Sequence, residues 1–227
     1  AIETLLEHRV EAMVVHSKAL DDETLIGFAN QVPGFVLINR YIPEIANRCV
    51  WLANVTGGRL MAEYAINQGH EHVAVISSQY RIDDPNHRLE GIRNAVNNAN
   101  LSLPESMIEY ATPDQEGGEL AMQNLLATGA KFTAVLAYND AMASGAMTML
   151  QDHGISVPEQ VSVMGYDDVL LAKYCRPKLT TLRYPVEMMA AKAAELALKY
   201  ASGSKPEDGL TFKYTPTVVK RDSMVRV

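Results

Sequence analysis

Cysteine is almost absent from this chain: Cys49 and Cys175 are the only two, far apart in sequence. Two isolated thiols have no metal-ligand spacing and cannot staple a fold, which argues against a disulfide framework and suits a reducing cytosol. Basic charge is in deficit as well. Twenty Lys and Arg stand against 27 Asp and Glu, a net charge of -7. This stretch on its own is therefore a poor nucleic-acid binder, because phosphate contacts need clustered cations. No apolar run approaches membrane-spanning length, and no secretory signal opens the chain. A cytoplasmic setting with no membrane contact is expected. The one tryptophan, Trp51, is read as packing rather than as a sugar-stacking platform.

Enzyme signatures are largely missing. No GxGxxG follows the first strand, and there is no P-loop, GxSxG or HExxH. The pairs Gly57-Gly58 and Gly117-Gly118 are too short to cradle phosphate. No nucleophile, base and orienter form a series. Catalysis, a cofactor and a metal site are all outside the expectation.

What is present is a regular alternation. With 48% hydrophobic residues over 227 positions, the chain can bury one large core or two small ones. Strand-like runs fall at 9–16, 35–40, 48–53, 72–77, 107–111, 132–138, 161–164, 179–183 and 211–220. Helical patterns fall at 21–29, 57–68, 86–98, 118–127, 141–153 and 186–200, with Thr56 as a cap and Gly69 as a stop. Strands alternating with helices argue a parallel α/β sheet. The stretch from Val161 organises the rest. A buried strand ends at Gly165, Asp167 and Asp168 follow, and no helix pattern begins. A polar segment then leads through Pro177 to 179–183, as a chain leaving one sheet for another domain.

Five polar residues sit at strand carboxyl ends or at the start of the next helix: His16, Asn39, Arg88, Asn139 and Asp167. Open α/β sheets bind ligands at that edge. Asp accepts from two adjacent hydroxyls, Arg donates two fixed bonds and Asn does both, so the set suits a neutral polyol. Each has a plainer reading. Asn139-Asp140 is by default a helix cap, Asp167-Asp168 a solvated turn, Arg88 a surface charge and His16 a hydrogen-bonded strand end. Asn39 alone says little. Met142, Met147 and Met149 read as core or subunit interface.

Several pieces resemble, in order and spacing, the effector-binding core of the lactose/galactose-repressor (LacI/GalR) family. They are Gly69-His70, the Arg88-Leu-Glu-Gly91 run, residues 133–147, residues 154–158, residues 161–168 and residues 179–182. Residues 36–40, 112–114, 183–185 and 216–221 look like the galactose branch in particular. The resemblance implies an α/β fold of two doubly wound parallel-sheet subdomains of periplasmic-binding-protein type I. Their expected bounds are residues 1–53 with 184–205, and residues 54–183 with 206–227. It also implies three crossovers and a small ligand in the cleft. Members carry a helix-turn-helix, a hinge and a first strand, helix and strand ahead of the position of Ala1. This chain is therefore expected to lack the N-terminal strands of the first subdomain and to bind ligand weakly by itself.

Family contacts transfer by position. Arg88 matches the ligand-gripping arginine, Asn139 the cleft asparagine and Asp167 the cleft carboxylate. His16 lies where relatives place a polar residue near the sugar, and Asn39 where many have Asp. Asp84 and Pro113 are peripheral candidates, Pro113 standing where several relatives place an aromatic lid. The implied function is a sugar sensor, responding to D-galactose, in a DNA-binding repressor. The implied partners are a sugar effector, operator DNA through an N-terminal helix-turn-helix not present here, and a second copy in a homodimer. A tetramer is not expected, since no heptad tail precedes the end at Val227. The alternatives are a periplasmic sugar-binding protein of a transporter and, further off, a sugar-processing enzyme.

Overall fold

A computed structural model describes residues 2–207 and 209–227. Chain contacts divide it into two compact units, Ala1–Ala53 with Pro185–Thr215, and Asn54–Tyr184 with Pro216–Val227. The chain thus crosses from one to the other after residues 53, 184 and 215. Residues 206–215, expected with the second unit, cluster with the first.

The first unit is a parallel sheet of β1 (Ala12–Val15), β2 (Gly34–Ile38), β3 (Cys49–Leu52) and β9 (Phe212–Tyr214), in that spatial order. Helix α1 (Ile2–Glu7) precedes β1. Helix α2 (Asp22–Gln31) joins β1 to β2, and its cap Asp21 accepts a bond from the Thr24 N–H at 2.8 Å. Leu25, Phe35, Leu37 and Ile42 form a core with no solvent exposure. Helix α8 (Val186–Ala201) packs on β2 so closely that a Cβ on Gly34 would lie 2.4 Å from the Ala197 carbonyl oxygen.

The expected single strand at 211–220 is two short strands in different sheets. Pro216 has no N–H to give a ladder, and the chain leaves the first sheet there. Beyond it, β10 (Thr217–Val219) joins the second unit.

That second unit holds β4 (Val73–Ser78), β5 (Ile108–Ala111), β6 (Ala134–Ala137), β7 (Ser162–Asp167) and β8 (Thr180–Arg183). The spatial order is β10-β8-β7-β6-β4-β5, parallel except for β10. From β4 the chain moves outward to β5; from β6 it moves the opposite way to β7. The crevice at the carboxyl ends of β4 and β6 is therefore the switch point of a doubly wound sheet. His70, just before β4, is fully buried, its ring nitrogens meeting Thr133 Oγ1 at 2.9 Å and the Val225 carbonyl at 3.0 Å.

Helices α3 (Asn54–Asn67) and α4 (Asp83–Asn98) pack together, as do α5 (Gln115–Ala127) and α6 (Asp140–Asp152). Helix α3 starts earlier than its pattern suggests, so Thr56 lies inside it rather than capping it. Helix α4 also starts early, because Pro85 is tolerated in a first turn. A five-residue helix, α7 (Leu170–Tyr174), forms where none was expected. The α3–α4 crossing depends on two glycines. A Cβ on Gly58 would lie 1.9 Å from the Arg88 carbonyl oxygen, and one on Gly91 2.0 Å from that of Val55. This contact sets where the backbone of Arg88 sits.

Adding a methyl at that crossing forces backbone against backbone. Gly91→Ala is expected to cost about 1–3 kcal/mol, read as a lower urea midpoint. Gly27→Ala in α2, with nothing within 4 Å of the new methyl, should instead gain up to about 1 kcal/mol. A gain at Gly91 would show that the two helices can part without strain.

Candidate functional site

The second turn of α4 brings Arg88 to the switch point, where it is only 6% exposed. Its Nη1 donates to the Tyr138 carbonyl at 2.6 Å and its Nε to Asn54 Oδ1 at 3.0 Å. Asn54 Nδ2 in turn donates to Asp84 Oδ1 at 3.1 Å. The guanidinium carbon lies 3.6 Å from the Tyr166 ring centre and 4.5 Å from that of Tyr138. A cation set over two aromatic rings and tied at Nε and Nη1 has little freedom left. The remaining Nη2 lies 3.7 Å from Asp167 Oδ1, too far for a hydrogen bond.

Asp167 ends β7 with φ of 110°, and Asp168 follows at 58°. Both lie in the left-handed region that side chains avoid. Asp168 holds the turn. Its carboxylate, 4% exposed, accepts from Arg183 Nε at 2.8 Å and from Arg221 Nη2. Burial pushes the Asp168 carboxyl up, but the bonds from Arg221 and Arg183 outweigh it and keep it below the usual carboxylate value. The pair is thus not a solvated turn. The Asp167 side chain, 28% exposed, has Arg88 as its ion-pair neighbour. Burial pushes its carboxyl up to about 6, opposed by Arg88 and reinforced by Asp84.

Asn139 is a helix cap, as its plainer reading held. Its Oδ1 accepts from the Met142 N–H at 2.8 Å, while Nδ2 donates to the Pro113 carbonyl at 2.9 Å. One lone pair and one N–H of the half-buried amide remain. Pro113 contributes that carbonyl, and Asp84 is buried against Asn54. Arg88 and Asp167 are thus neighbours, Asp84 is tied to Arg88 through Asn54, and Asn139 follows Tyr138, which covers Arg88. Tyr184, one residue past β8, feels the same charges; burial first, then Asp84, pushes its hydroxyl far above the usual value.

His16 and Asn39 belong to the first unit, at the carboxyl edge of its sheet just past β1 and β2. His16 is exposed. Asn39 has φ of 57°, and its carbonyl accepts from Lys18 Nζ at 2.6 Å. Among the described residues no three His, Cys, Asp or Glu side chains converge as metal ligands, and no helix is long and apolar enough to cross a membrane.

Sequence reasoning passed over Asn54, Tyr138 and Tyr166. Asn54 follows β3 as the other candidates follow their strands, so the strand-end rule could have found it. The stacking of the two tyrosines on Arg88 has no local signal. Chemically, the site offers one donor edge beside one carboxylate, with an amide and phenols nearby. That matches adjacent hydroxyls on a small ligand.

Comparison with known proteins follows the same line. The periplasmic binding protein-like domain family matches residues 62–224. The HTH-type transcriptional regulator GalS of Salmonella typhimurium is 46% identical over 99% of this chain and 66% of its own length. GalR of Escherichia coli is 44% identical over 99% of this chain and 65% of its own length. The chain therefore spans just under two thirds of these relatives. A solved sugar-binding transcriptional regulator of the LacI family from Escherichia coli, complexed with phosphate, superposes with a TM-score of 0.91. It is 27% identical and covers 99% of this chain and 81% of its own.

Two groups near the site give predictions. Asp140, with no exposure, accepts from Thr181 Oγ1 at 2.5 Å and from the Val169 N–H at 2.8 Å. Burial nonetheless pushes its carboxyl up to about 7. Asp140 and Asp167 hold protons more tightly folded than unfolded. Their contribution to stability is full below the ordinary carboxylate value and is lost as pH rises through about 6 to 7. The urea midpoint should fall between roughly pH 4 and pH 7, and Asp140→Asn should shrink that fall. An undiminished fall would remove Asp140 as its source. Separately, the buried Tyr166 hydroxyl has no hydrogen-bond partner among the described residues. Tyr166→Phe keeps the ring over Arg88 and should raise stability by about 1 kcal/mol. A lower melting temperature would mean that the hydroxyl is satisfied.

Proposed function

The chain belongs to the LacI/GalR family through its periplasmic binding protein-like domain, and from that premise we propose that it is the sugar-sensing part of a DNA-binding repressor that answers to D-galactose. One observation carries the reading. At the switch point of the second unit, an immobilised guanidinium edge stands beside a carboxylate that it does not hydrogen-bond, at 3.7 Å. In this reading Asp167 accepts from adjacent sugar hydroxyls, Arg88 donates through Nη2, and Asn139 supplies its remaining donor and acceptor. Asp84 and Pro113 act behind these groups. His16 and Asn39 are assigned to the same ligand through the resemblance.

The site works by binding rather than turnover. A ligand shifts a two-state protein only by its difference in affinity for the two states, so the sugar must meet these groups better in one state. The output is operator affinity, through a helix-turn-helix ahead of this chain in a cytoplasmic homodimer that reads two half-sites. The relatives' description as HTH-type regulators favours this over transport.

The test is calorimetric titration of the full-length protein with D-galactose and a panel of monosaccharides. Asp167→Ala and Arg88→Lys should each weaken binding by about 30-fold or more, since each leaves a buried polar partner unsatisfied. Operator binding without sugar should persist. A normal galactose response in Asp167→Ala would overturn the assignment.

A further inference from the structure

Asn54 is the first residue of the second unit, directly after the crossing at Ala53, and it is 6% exposed. Its amide is used in a directed way. The oxygen accepts from Arg88 Nε, and the nitrogen donates to Asp84. On one side stands a cation that can only donate, on the other a carboxylate that accepts. An amide fits both at once. A carboxylate in its place would face Asp84, and an aliphatic side chain would take one hydrogen bond from each partner.

The geometry points to Asn54 as the positioning residue of the sugar site: it keeps the guanidinium of Arg88 turned so that Nη2 is presented beside Asp167 without closing on it. Three contacts define that plane, namely the two ring stacks and the bond from Nη1 to the Tyr138 carbonyl. The stacks allow the group to slide and spin in its own plane. A single bond at Nη1 allows it to pivot. The bond at Nε adds the second fixed point that stops the pivot. Without it, the guanidinium can swing toward Asp167 and form a two-bond ion pair, the preferred geometry for these groups. That pair would consume the donor edge and the acceptor oxygens the sugar needs. Asn54 therefore acts through Arg88, without touching the ligand. The inference rests on the sugar-site reading but is testable apart from it.

The experiment is a substitution cycle in the full-length protein. Asn54→Asp sets two carboxylates side by side and should weaken D-galactose binding by about tenfold. Combining it with Asp84→Asn restores one amide and one carboxylate in reversed order. The double variant should recover most of the lost affinity, to within about threefold of wild type. A role in packing alone predicts no such recovery, because the double variant has the same volumes as Asn54→Asp. A second readout needs no sugar. In protein labelled with 15N-arginine, the Arg88 Nε–H resonance should be protected from solvent exchange and lose that protection in Asn54→Leu, which removes the acceptor, but not in Asn54→Asp, which keeps one. Equal affinity in Asn54→Asp, or no recovery in the double variant, overturns the positioning role. If the resonance follows this pattern while the wild type takes up no sugar of the panel, the positioning role stands and the sugar assignment falls.

Discussion

A buried guanidinium with two tyrosine rings against it is the constraint on which the second unit is built. Taking a cation out of water is costly unless its charge and its N–H groups are met. Here the charge is met by the faces of Tyr138 and Tyr166 and by the nearby Asp167, and the N–H groups by Asn54 and the Tyr138 carbonyl. Desolvated cation–π contacts contribute up to about 2 kcal/mol each, which makes the stack a main term. The Tyr166 hydroxyl, buried without a partner among the described residues, costs about 1–3 kcal/mol, so that ring is present for its face. A Cβ at Gly57 would lie 2.2 Å from that hydroxyl, so even the space for the ring is cut by a glycine.

The carboxylate side of the site is placed by strain rather than by packing. Two successive L-residues with positive φ are costly, at roughly 1–3 kcal/mol each. The turn persists because Asp168 is gripped by Arg183 and Arg221, and Arg221 also donates to the Leu179 carbonyl at 2.8 Å. The grip thus links β7, the start of β8 and the last segment of the chain. Its result is that Asp167 points where an extended strand end would not carry it. The two adjacent carboxylates behave oppositely for this reason: one is held low by two arginines, the other raised by burial.

The legible parts of this design were those with a local period. The run 132–138 is apolar but for Thr133 and reads directly as a buried strand, and the polar residues that follow such strands mark the carboxyl edge of a sheet. Asn139 and Asp167 were visible as candidates by that rule, and Arg88 as a polar residue at the start of the next helix. Helix α7 was not, because five residues are too few to show a helical stripe. The split between β9 and β10 was hidden because 211–220 is uniformly strand-like and only Pro216 interrupts it. The tyrosines were hidden for another reason. Tyr138 and Tyr166 count as apolar in any pattern, and their stacking on Arg88 joins positions 50 and 78 residues away. Asp168 read as solvent-facing because its two arginines lie 15 and 53 residues on.

The distance of 3.7 Å separating Arg88 from Asp167 deserves a physical account, since opposite charges near a protein surface attract. Closing the gap would gain a hydrogen-bonded ion pair, so something must hold it open. On one side Asn54 and the Tyr138 carbonyl restrain the guanidinium; on the other the clamped Asp168 restrains the backbone of Asp167. Restraint from both sides means that ordering these groups is already done on folding, and on the proposed reading a hydroxyl pair need not break a bond to be recognised. That is preorganisation, which raises affinity by lowering the cost of binding rather than by adding contacts. It also accounts for a site with few polar groups. Two fixed groups of opposite character can select a polyol, whereas two mobile ones would first satisfy each other.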